Sequence, residues 1–292
     1  MTIREILAGG KSHLAASHIE SPDLDAALLL SQTLHCTRAD LVIHGDDTVT
    51  PENYNYFNNL LLRRISGESV AYILGRKEFM GLDFTVNPDV LVPRPDTELL
   101  VETILKKYSA RDKNQKNFKV LDLCTGSGAI AISLKHEHPE WEVWASDISK
   151  KALTIAKINA ENLLGSPKKI NFIHADLFSF NAQFPSPPSF SLIVANPPYV
   201  SSAEIETLAP EVKKEPRIAL DGGPQGLDII RRICAEASRY LEGSGSLFIE
   251  ADPRQIKKIA GYLLSGGFET PEIFPDLSGK ERVIGGKTRK AP

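Results

Sequence analysis

The sequence predicts a doubly wound α/β fold with a mostly parallel seven-stranded sheet, a small N-terminal helical bundle and a connecting β-hairpin. Three observations carry this. Apolar residues recur at helical spacing through the first ~75 residues. A short strand-like pair with a glycine turn follows, at Glu78 to Val86. From Lys119 onward, strand-like and helix-like runs alternate, as in a parallel sheet covered by helices on both faces. A length of 292 residues suits two domains. With 42% apolar and 24% charged residues, the chain is ordinary globular protein rather than disordered or low-complexity.

In the first part, Ile3, Ile6, Leu7 and Leu14 mark one helical face, which Gly9-Gly10 weakens by roughly 1 kcal/mol per glycine. Ser21-Pro22 reads as a cap with proline at the first helical position, before Leu24, Ala27, Leu28 and Leu30. Thr50-Pro51-Glu52 repeats that signal and opens a helix through Phe57, Leu60 and Leu61 that stops near Gly67. The region holds four or five short helices by this reading. The hairpin then turns at Met80-Gly81 or close by. A proline-rich stretch, Val92 to Asp96, precedes a helix from Thr97 to about Tyr108, and Ala110 to Asn117 reads as an exposed loop.

Strands are expected at Val120–Leu123, Val143–Asp147, Ile170–Ala175, Leu192–Ala195 and Ser246–Glu250, with a closing pair near Glu272–Phe274 and Arg282–Ile284. Helices are expected at Ala129–Lys135, Lys150–Leu164, Leu227–Leu241 and Gln255–Leu264. The segment Phe184 to Ser189 is proline-rich and reads as a surface loop. The implied organisation is a helical substrate-binding domain over 1–76, a hairpin linker over 77–95 and a catalytic domain over 96–292.

Charge narrows the function. The formal net charge is −3, with 7 basic against 11 acidic residues up to Asp83. A protein that grips phosphate backbones usually carries a basic excess, so nucleic acid is not the expected partner. Cys36, Cys124 and Cys234 lie far apart and form no C-x-x-C pair, which argues against a disulfide framework or zinc cluster and fits a reducing compartment. The seven histidines have no H-x-x-x-H or H-E-x-x-H spacing, so no metal is expected. His136 and His138 are expected to face solvent. No apolar run approaches the ~20 residues that span a bilayer, and no signal peptide is evident. A cytoplasmic protein is expected.

The chemistry gathers at strand ends. Leu121 to Gly128 follows a strand and opens a helix, where glycines allow a tight turn against the helix's positive end. With Ala131 it fits G-x-G-x-x-A, which by itself is also an ordinary strand-to-helix turn. Asp147 ends the next strand, where a carboxylate would hold ribose hydroxyls or, more plainly, cap a helix through Asp147-Ile148-Ser149. Asp176 ends the third strand. Leu177 or Phe178 beside it would cover an adenine ring or pack in the core. Carboxyl ends of strands line the crevice of a doubly wound sheet, so Gly126, Gly128, Asp147 and Asp176 should converge there.

The decisive motif is Asn196-Pro197-Pro198-Tyr199, at the end of the fourth strand. Two prolines end sheet pairing and stiffen the turn. Prolines lack N–H groups, so neighbouring carbonyls stay free as acceptors, and Asn196 adds a side-chain carbonyl. Together these would hold an –NH2 group by both hydrogens. Tyr199 supplies a face for a flat group. That is apparatus for alkylating a conjugated nitrogen.

On these motifs the chain resembles class I S-adenosylmethionine-dependent amino-methyltransferases, with their Rossmann-like fold. More narrowly it resembles the HemK/PrmC family, glutamine N5-methyltransferases of peptide chain release factors. The resemblance runs through Ala71 to Gly75, Phe79 to Val86, Val90 to Glu98, Asp122 to Gly128, Asn196 to Tyr199, Glu215 to Gly223, Gly226 to Asp228 and Asp276 to Val283. It implies S-adenosylmethionine as methyl donor. It implies Cys124, Thr125, Gly126, Ser127, Gly128, Asp147, Asp176, Leu177 and Asn196 at the cofactor. It implies Asn196, Pro197, Pro198 and Tyr199 around the substrate amide, and Phe84, Arg94 and Glu98 in stretches that border the cofactor. Class-1 release factors would be the protein substrate, met by a monomer with its helical part. Three departures stand out: Cys124 where glycine is common, Leu177 where an aromatic is frequent, and Glu250-Ala251-Asp252-Pro253 in place of Glu-Ile-Gly. Alternatives are an adenine N6-methyltransferase, a ribosomal-protein glutamine methyltransferase, a nicotinamide-dependent dehydrogenase that would leave Asn196 to Tyr199 unexplained, and a non-catalytic S-adenosylmethionine-binding module.

Overall fold

The computed structural model describes residues 1–108, 118–180, 184 and 188–289. The loop expected at 110–117 and the middle of the proline-rich segment, 185–187, lie outside the described residues. The chain divides into two compact units. One comprises Met1–Arg76 with Ala209–Lys214, the other Lys77–Leu208 with Glu215–Pro292.

The first unit is helical: α1 (Ile3–Ala16), α2 (Pro22–Leu34), α3 (Arg38–Ile43), α4 (Pro51–Ile65) and α5 (Val70–Leu74). Thr2 and Thr37 form capping boxes, with Glu5 and Asp40 as reciprocal partners. Thr50 caps α4 by accepting from the Asn53 N–H. Ser21 stands at the N-cap of α2 as expected, but its hydroxyl makes no capping bond. Gly10, a weak point for α1 by propensity, is explained by packing. A Cβ there would sit 2.7 Å from the Phe57 ring, so α1 and α4 approach only because none is present. Ile6, Leu14, Leu29, Leu30, Phe57, Leu60 and Leu61 close the core of this unit.

Residues 209–214 belong to this unit although the sequence grouped them with the catalytic part. They carry α9 (Pro210–Lys213), a short helix without a periodic apolar pattern. Its Glu211 reaches the buried Arg64 at 3.2 Å, and Arg64 also holds Asp25 at 2.7 Å. An anchor made by residues 147 positions apart leaves no local trace in the sequence.

The second unit opens with the hairpin β1 (Arg76–Phe79) and β2 (Leu82–Thr85). Met80 and Gly81 both take positive φ, 51° and 72°, as a two-residue primed turn requires. The helix α6 (Pro95–Tyr108) follows. Then come β3 (Lys119–Leu123), α7 (Ala129–Glu137), β4 (Glu142–Asp147), α8 (Lys150–Leu164), β5 (Ile170–His174), β6 (Phe190–Ala195), α10 (Asp228–Glu236), β7 (Leu241–Glu250), α11 (Ile256–Ser265), β8 (Glu272–Pro275) and β9 (Glu281–Lys287). The sheet order is β5-β4-β3-β6-β7-β9-β8, parallel through β7 and antiparallel at β9 and β8.

Strand alternation assigns the two faces. Along β3 and β6, Leu121, Leu123, Ile193 and Ala195 enter one core, while Val120, Leu192 and Val194 enter the other. One helix expectation overran its end. Helical residues were expected to Leu241, but α10 stops at Glu236, a short 3-10 turn covers Ala237–Arg239, and Leu241 already begins β7. His138 is not simply solvated. Its ring stacks on Trp141 at 4.0 Å between centroids and 4° between planes.

Candidate active site

The chain runs outward from β3 to β4 and β5, then returns to place β6 on the other side of β3. This reversal leaves a crevice beyond the carboxyl ends of β3 and β6, the position where doubly wound sheets bind ligands. A cleft of about 190 Å³, partly open to solvent, occupies it.

The turn after β3 forms its floor. Asp122, fully buried at the middle of the turn's entry, accepts from the Thr125 hydroxyl at 2.6 Å and the Ala131 N–H at 3.2 Å. Burial pushes its carboxyl up to about 7, against those two hydrogen bonds. Cys124 and Gly126 line the cleft, whereas Thr125 and Ser127 are buried behind it. Gly128 caps α7 and packs on Ile132 and Ala156. Burial, with Asp147, Asp122 and Asp176 nearby, raises the Cys124 thiol, so it stays protonated.

Asp147 stands at the end of β4 in the cleft wall. One carboxylate oxygen accepts from the Gly126 N–H at 2.9 Å, the other from the Ser149 N–H at 2.8 Å. Ser149 itself caps α8. The helix-cap and ligand readings of Asp147-Ile148-Ser149 are therefore compatible. Backbone donors fix the carboxylate, and its remaining lone pairs stay available to hydroxyl donors. Asp176 lines the same cleft and holds Arg232 at 2.9 Å. Leu177, at φ 50°, presents an apolar wall. Phe178 goes to the core instead, stacked on Tyr240 at 4.6 Å. Asp89 to Leu91, Pro216, Ile218 and Ala219 also line the cleft.

Beyond β6, Asn196 and Pro198 also line the cleft, while Pro197 is buried. The Asn196 Nδ2 donates to the Thr97 hydroxyl oxygen at 2.9 Å, and its Oδ1 accepts from no group among the described residues. Nor does any backbone N–H there donate to the carbonyls of Pro197 and Pro198. The loop is held from behind. A Cβ on Gly226 would lie 2.1 Å from the Tyr199 carbonyl oxygen, and the Gln255 amide donates to that same carbonyl at 2.9 Å. The Tyr199 hydroxyl turns away from the opening and donates to Glu250 Oε1 at 3.4 Å. Burial keeps its phenol protonated across physiological pH.

Of the residues read from sequence, Cys124, Gly126, Asp147, Asp176, Leu177, Asn196 and Pro198 share one cleft. Thr125, Ser127, Gly128 and Pro197 shape its backbone. Arg94 pairs with Glu215. Phe84 is buried in the core, and Glu98 accepts from the Met80 N–H at the hairpin, so neither borders the cleft. Sequence reasoning missed Thr97 and Arg232. Their partners lie 99 and 56 positions away, and only the fold joins them.

The PrmC N-terminal domain description matches residues 5–75, and the methyltransferase small domain description matches residues 95–223. A release factor glutamine methyltransferase of Buchnera aphidicola is 39% identical over 274 residues, covering 94% of this chain and 95% of that protein. One from Moorella thermoacetica is 36% identical, covering 97% and 98%. The chain belongs to the release factor glutamine methyltransferase family.

More distant structures share the fold. A methyltransferase from Pyrococcus furiosus aligns with a TM-score of 0.52 at 16% identity, covering 80% of this chain and 99% of that one. A 16S rRNA methyltransferase of T. thermophilus, solved with AdoMet and guanosine, aligns at 0.54 and 18%, covering 73% and 50%. The methyltransferase family uses S-adenosylmethionine as methyl donor, and the cleft has the chemistry for it. The donor carries an adenine ring, a ribose diol and an amino-acid tail. Against these the cleft sets an apolar wall at Leu177, a fixed carboxylate at Asp147 and the bare backbone of the Gly126 turn. Among the described residues no group of three or more His, Cys, Asp or Glu side chains could hold a metal, and no helix is long and apolar enough to cross a membrane.

Proposed function

We propose that this chain methylates the side-chain amide nitrogen of the glutamine in the Gly-Gly-Gln motif of class-1 release factors, from S-adenosylmethionine. Family membership supports the activity. The observation that carries the site assignment is the Asn196 amide, which lines the cleft, is tied through Nδ2 to Thr97 and has no donor on Oδ1 among the described residues.

Bound at the cleft, S-adenosylmethionine supplies an electrophilic methyl group. Asp147 and Leu177 hold its ribose and adenine, and the 124–128 turn receives the remainder. Asn196 Oδ1 and the Pro197 carbonyl accept the two amide hydrogens of the substrate glutamine, and Tyr199 bounds the site. An amide nitrogen is a weak nucleophile because its lone pair is delocalised. Holding both hydrogens fixes the direction from which the methyl approaches, and such positioning can reach effective molarities of about 10⁵–10⁸ M. The two acceptors strengthen as positive charge develops on nitrogen. The nitrogen then loses a proton readily, so no strong base is needed. The protonated Cys124 thiol and Tyr199 phenol supply none.

In this reading the helical unit of residues 1–76 grips the release factor, the protein acts as a cytoplasmic monomer, and nucleic acid is not a substrate. Purified protein with radiolabelled S-adenosylmethionine tests it against release factor, ribosomal protein and DNA separately. Label should enter release factor and be lost when its Gly-Gly-Gln glutamine is replaced by alanine. Label in DNA or ribosomal protein alone would overturn the reading.

A further inference from the structure

The hairpin and the turn after β3 meet on one buried side chain that the reaction as derived does not use. Asn159 lies within α8 and is fully buried. The helix face it shares is made of small residues. Ala152 lines the cleft, and Ala156 packs so closely on the turn that a Cβ on Gly128 would lie 3.2 Å from its own. Asn159, three positions beyond Ala156, continues that row.

The Asn159 amide uses its oxygen and both its hydrogens. Oδ1 accepts from the Thr85 N–H at 2.7 Å, and Nδ2 donates to the Thr85 carbonyl at 3.0 Å and to the Ser127 carbonyl at 2.9 Å. Thr85 is the last residue of β2, which is paired with β1 alone among the described strands. The side-chain amide therefore takes the other edge of β2, exchanging both backbone bonds of Thr85 as a residue of a neighbouring antiparallel strand would. That exchange fixes the amide's orientation, because the reversed one would set N–H against N–H and oxygen against oxygen. The second Nδ2 hydrogen is thereby aimed at the carbonyl of Ser127, a buried residue between Gly126 and Gly128.

From Thr85 the chain continues to Asp89, Val90 and Leu91, which line the cleft. Asp89 is tied to α8 as well, by Lys151 at 3.1 Å. One helix thus holds the 85–91 segment at two points and the turn after β3 at a third, and both segments border the same cleft. Breaking the bonds at Asn159 would leave the Ser127 carbonyl buried without this donor and free the two segments to shift against each other.

We propose that Asn159 is a positioning residue for S-adenosylmethionine, fixing the 124–128 turn and the 85–91 segment at the spacing the cofactor requires. This rests on the assignment of the cleft to the cofactor. Asn159 is not part of the cleft lining and acts through Ser127 and Thr85.

Titration calorimetry with S-adenosylmethionine and methyl transfer to release factor, both on the full chain, test this. Asp147→Ala is the control for the cleft and should weaken cofactor binding at least about tenfold. An unchanged Kd there overturns the assignment of the cleft itself, whatever Asn159 shows. Asn159→Leu keeps the branched shape and removes all three bonds. We expect its Kd for S-adenosylmethionine to rise about 10–100-fold, with KM for release factor at saturating cofactor within about threefold of wild type. In Asn159→Asp, burial beside two carbonyl oxygens favours the protonated carboxyl, which keeps the acceptor for Thr85 and one donor. Its Kd should fall between those of wild type and Asn159→Leu. Hydrogen exchange on the wild-type protein decides the matter if a variant does not fold. Saturating S-adenosylmethionine should slow exchange of the Thr85 N–H at least about fivefold, although Thr85 does not line the cleft. The proposal is overturned if folded Asn159→Leu binds the cofactor as wild type does, or if its KM for release factor worsens in parallel with its Kd. It is equally overturned if Asn159→Asp binds no more tightly than Asn159→Leu, or if the cofactor leaves exchange at Thr85 unchanged.

Discussion

The buried Glu215 carboxylate ties Arg94 at 2.6 Å on one oxygen and the Val92 N–H at 3.3 Å on the other. Residues 89–91, and Pro216, Ile218 and Ala219, form part of the cleft wall. The pair therefore joins these two segments of the wall. Glu215→Gln keeps the shape and one acceptor but removes the charge that holds the guanidinium. A hydrogen bond to a charged group contributes ~1.5–3 kcal/mol, so S-adenosylmethionine affinity should weaken by about tenfold. Titration calorimetry checks this. Unchanged affinity would mean that the wall stands without the pair.

Asn196→Ala removes one of the two amide acceptors and leaves the cofactor pocket in place. Loss of a single transition-state hydrogen-bonding group typically costs ~10²–10³ in kcat. We expect that loss with release factor as substrate, and cofactor affinity within about threefold of wild type. Single-turnover methyl transfer at saturating release factor separates the two effects. Near-normal turnover would remove Asn196 from the site.

Much of this was legible in sequence because it is local. Two proline-guarded helix starts, a glycine hairpin turn and alternating apolar runs each encode their element within a few residues. The site motifs were legible for the same reason, since the turn after β3 and the Asn-Pro-Pro-Tyr loop are contiguous. What stayed hidden is what long-range packing creates. Thr97 meets Asn196, Arg232 meets Asp176 and Arg94 meets Glu215 across 56 to 121 positions. Periodicity also misled at the end of α10, where the apolar pattern continues through a 3-10 turn into β7. It said nothing of Phe178, whose choice between cleft and core is settled by Tyr240.

Cys124 illustrates a residue under strain. Its φ of 59° lies in the left-handed region that non-glycine residues avoid, at a cost of roughly 1–2 kcal/mol. Glycine adopts that conformation without the Cβ penalty. Cys124→Gly relieves the strain but loosens the unfolded chain by about 0.4–1 kcal/mol. The net expectation is a gain of up to about 1 kcal/mol in denaturant-unfolding stability, with cofactor binding retained. A clear loss of stability would show that the thiol's packing outweighs the backbone strain.

Two buried carboxyls make stability depend on pH in the direction opposite to ordinary ion pairs. Burial raises Asp122 from 3.8 to about 7 and Glu250 from 4.5 to about 7. Between roughly pH 4.5 and 7 the folded protein therefore keeps protons that the unfolded chain has released. Stability falls as pH rises through that window and levels off above it, by at most ~3–4 kcal/mol per group. Asp122→Asn leaves an acceptor for Thr125 and Ala131 and cannot ionise. Its urea-unfolding free energy should decline less steeply over this range than that of wild type. Parallel slopes for the two proteins would show that Asp122 does not titrate there.

In the helical unit, Arg64 and Asp25 are both buried and bonded at 2.7 Å, with Glu211 on the other side of the guanidinium at 3.2 Å. Removing one partner of a buried pair leaves an uncompensated charge and costs about 3–5 kcal/mol. Glu211 offsets part of this for Arg64, so Asp25→Ala should cost nearer the lower figure. The consequence separates the two units functionally. If the helices grip the release factor, Asp25→Ala should raise KM for release factor well above wild type as temperature increases. Binding of S-adenosylmethionine should hold at the same temperatures, because the cleft is built wholly from the second unit. Asp25→Asn keeps a hydrogen-bond acceptor for the Arg64 Nε–H and should fall between. Methyl transfer and cofactor binding measured across one temperature series decide the matter. A variant whose cofactor binding melts together with its release-factor KM would make the two units a single cooperative structure, and a variant with unaltered KM would take the helices out of substrate binding.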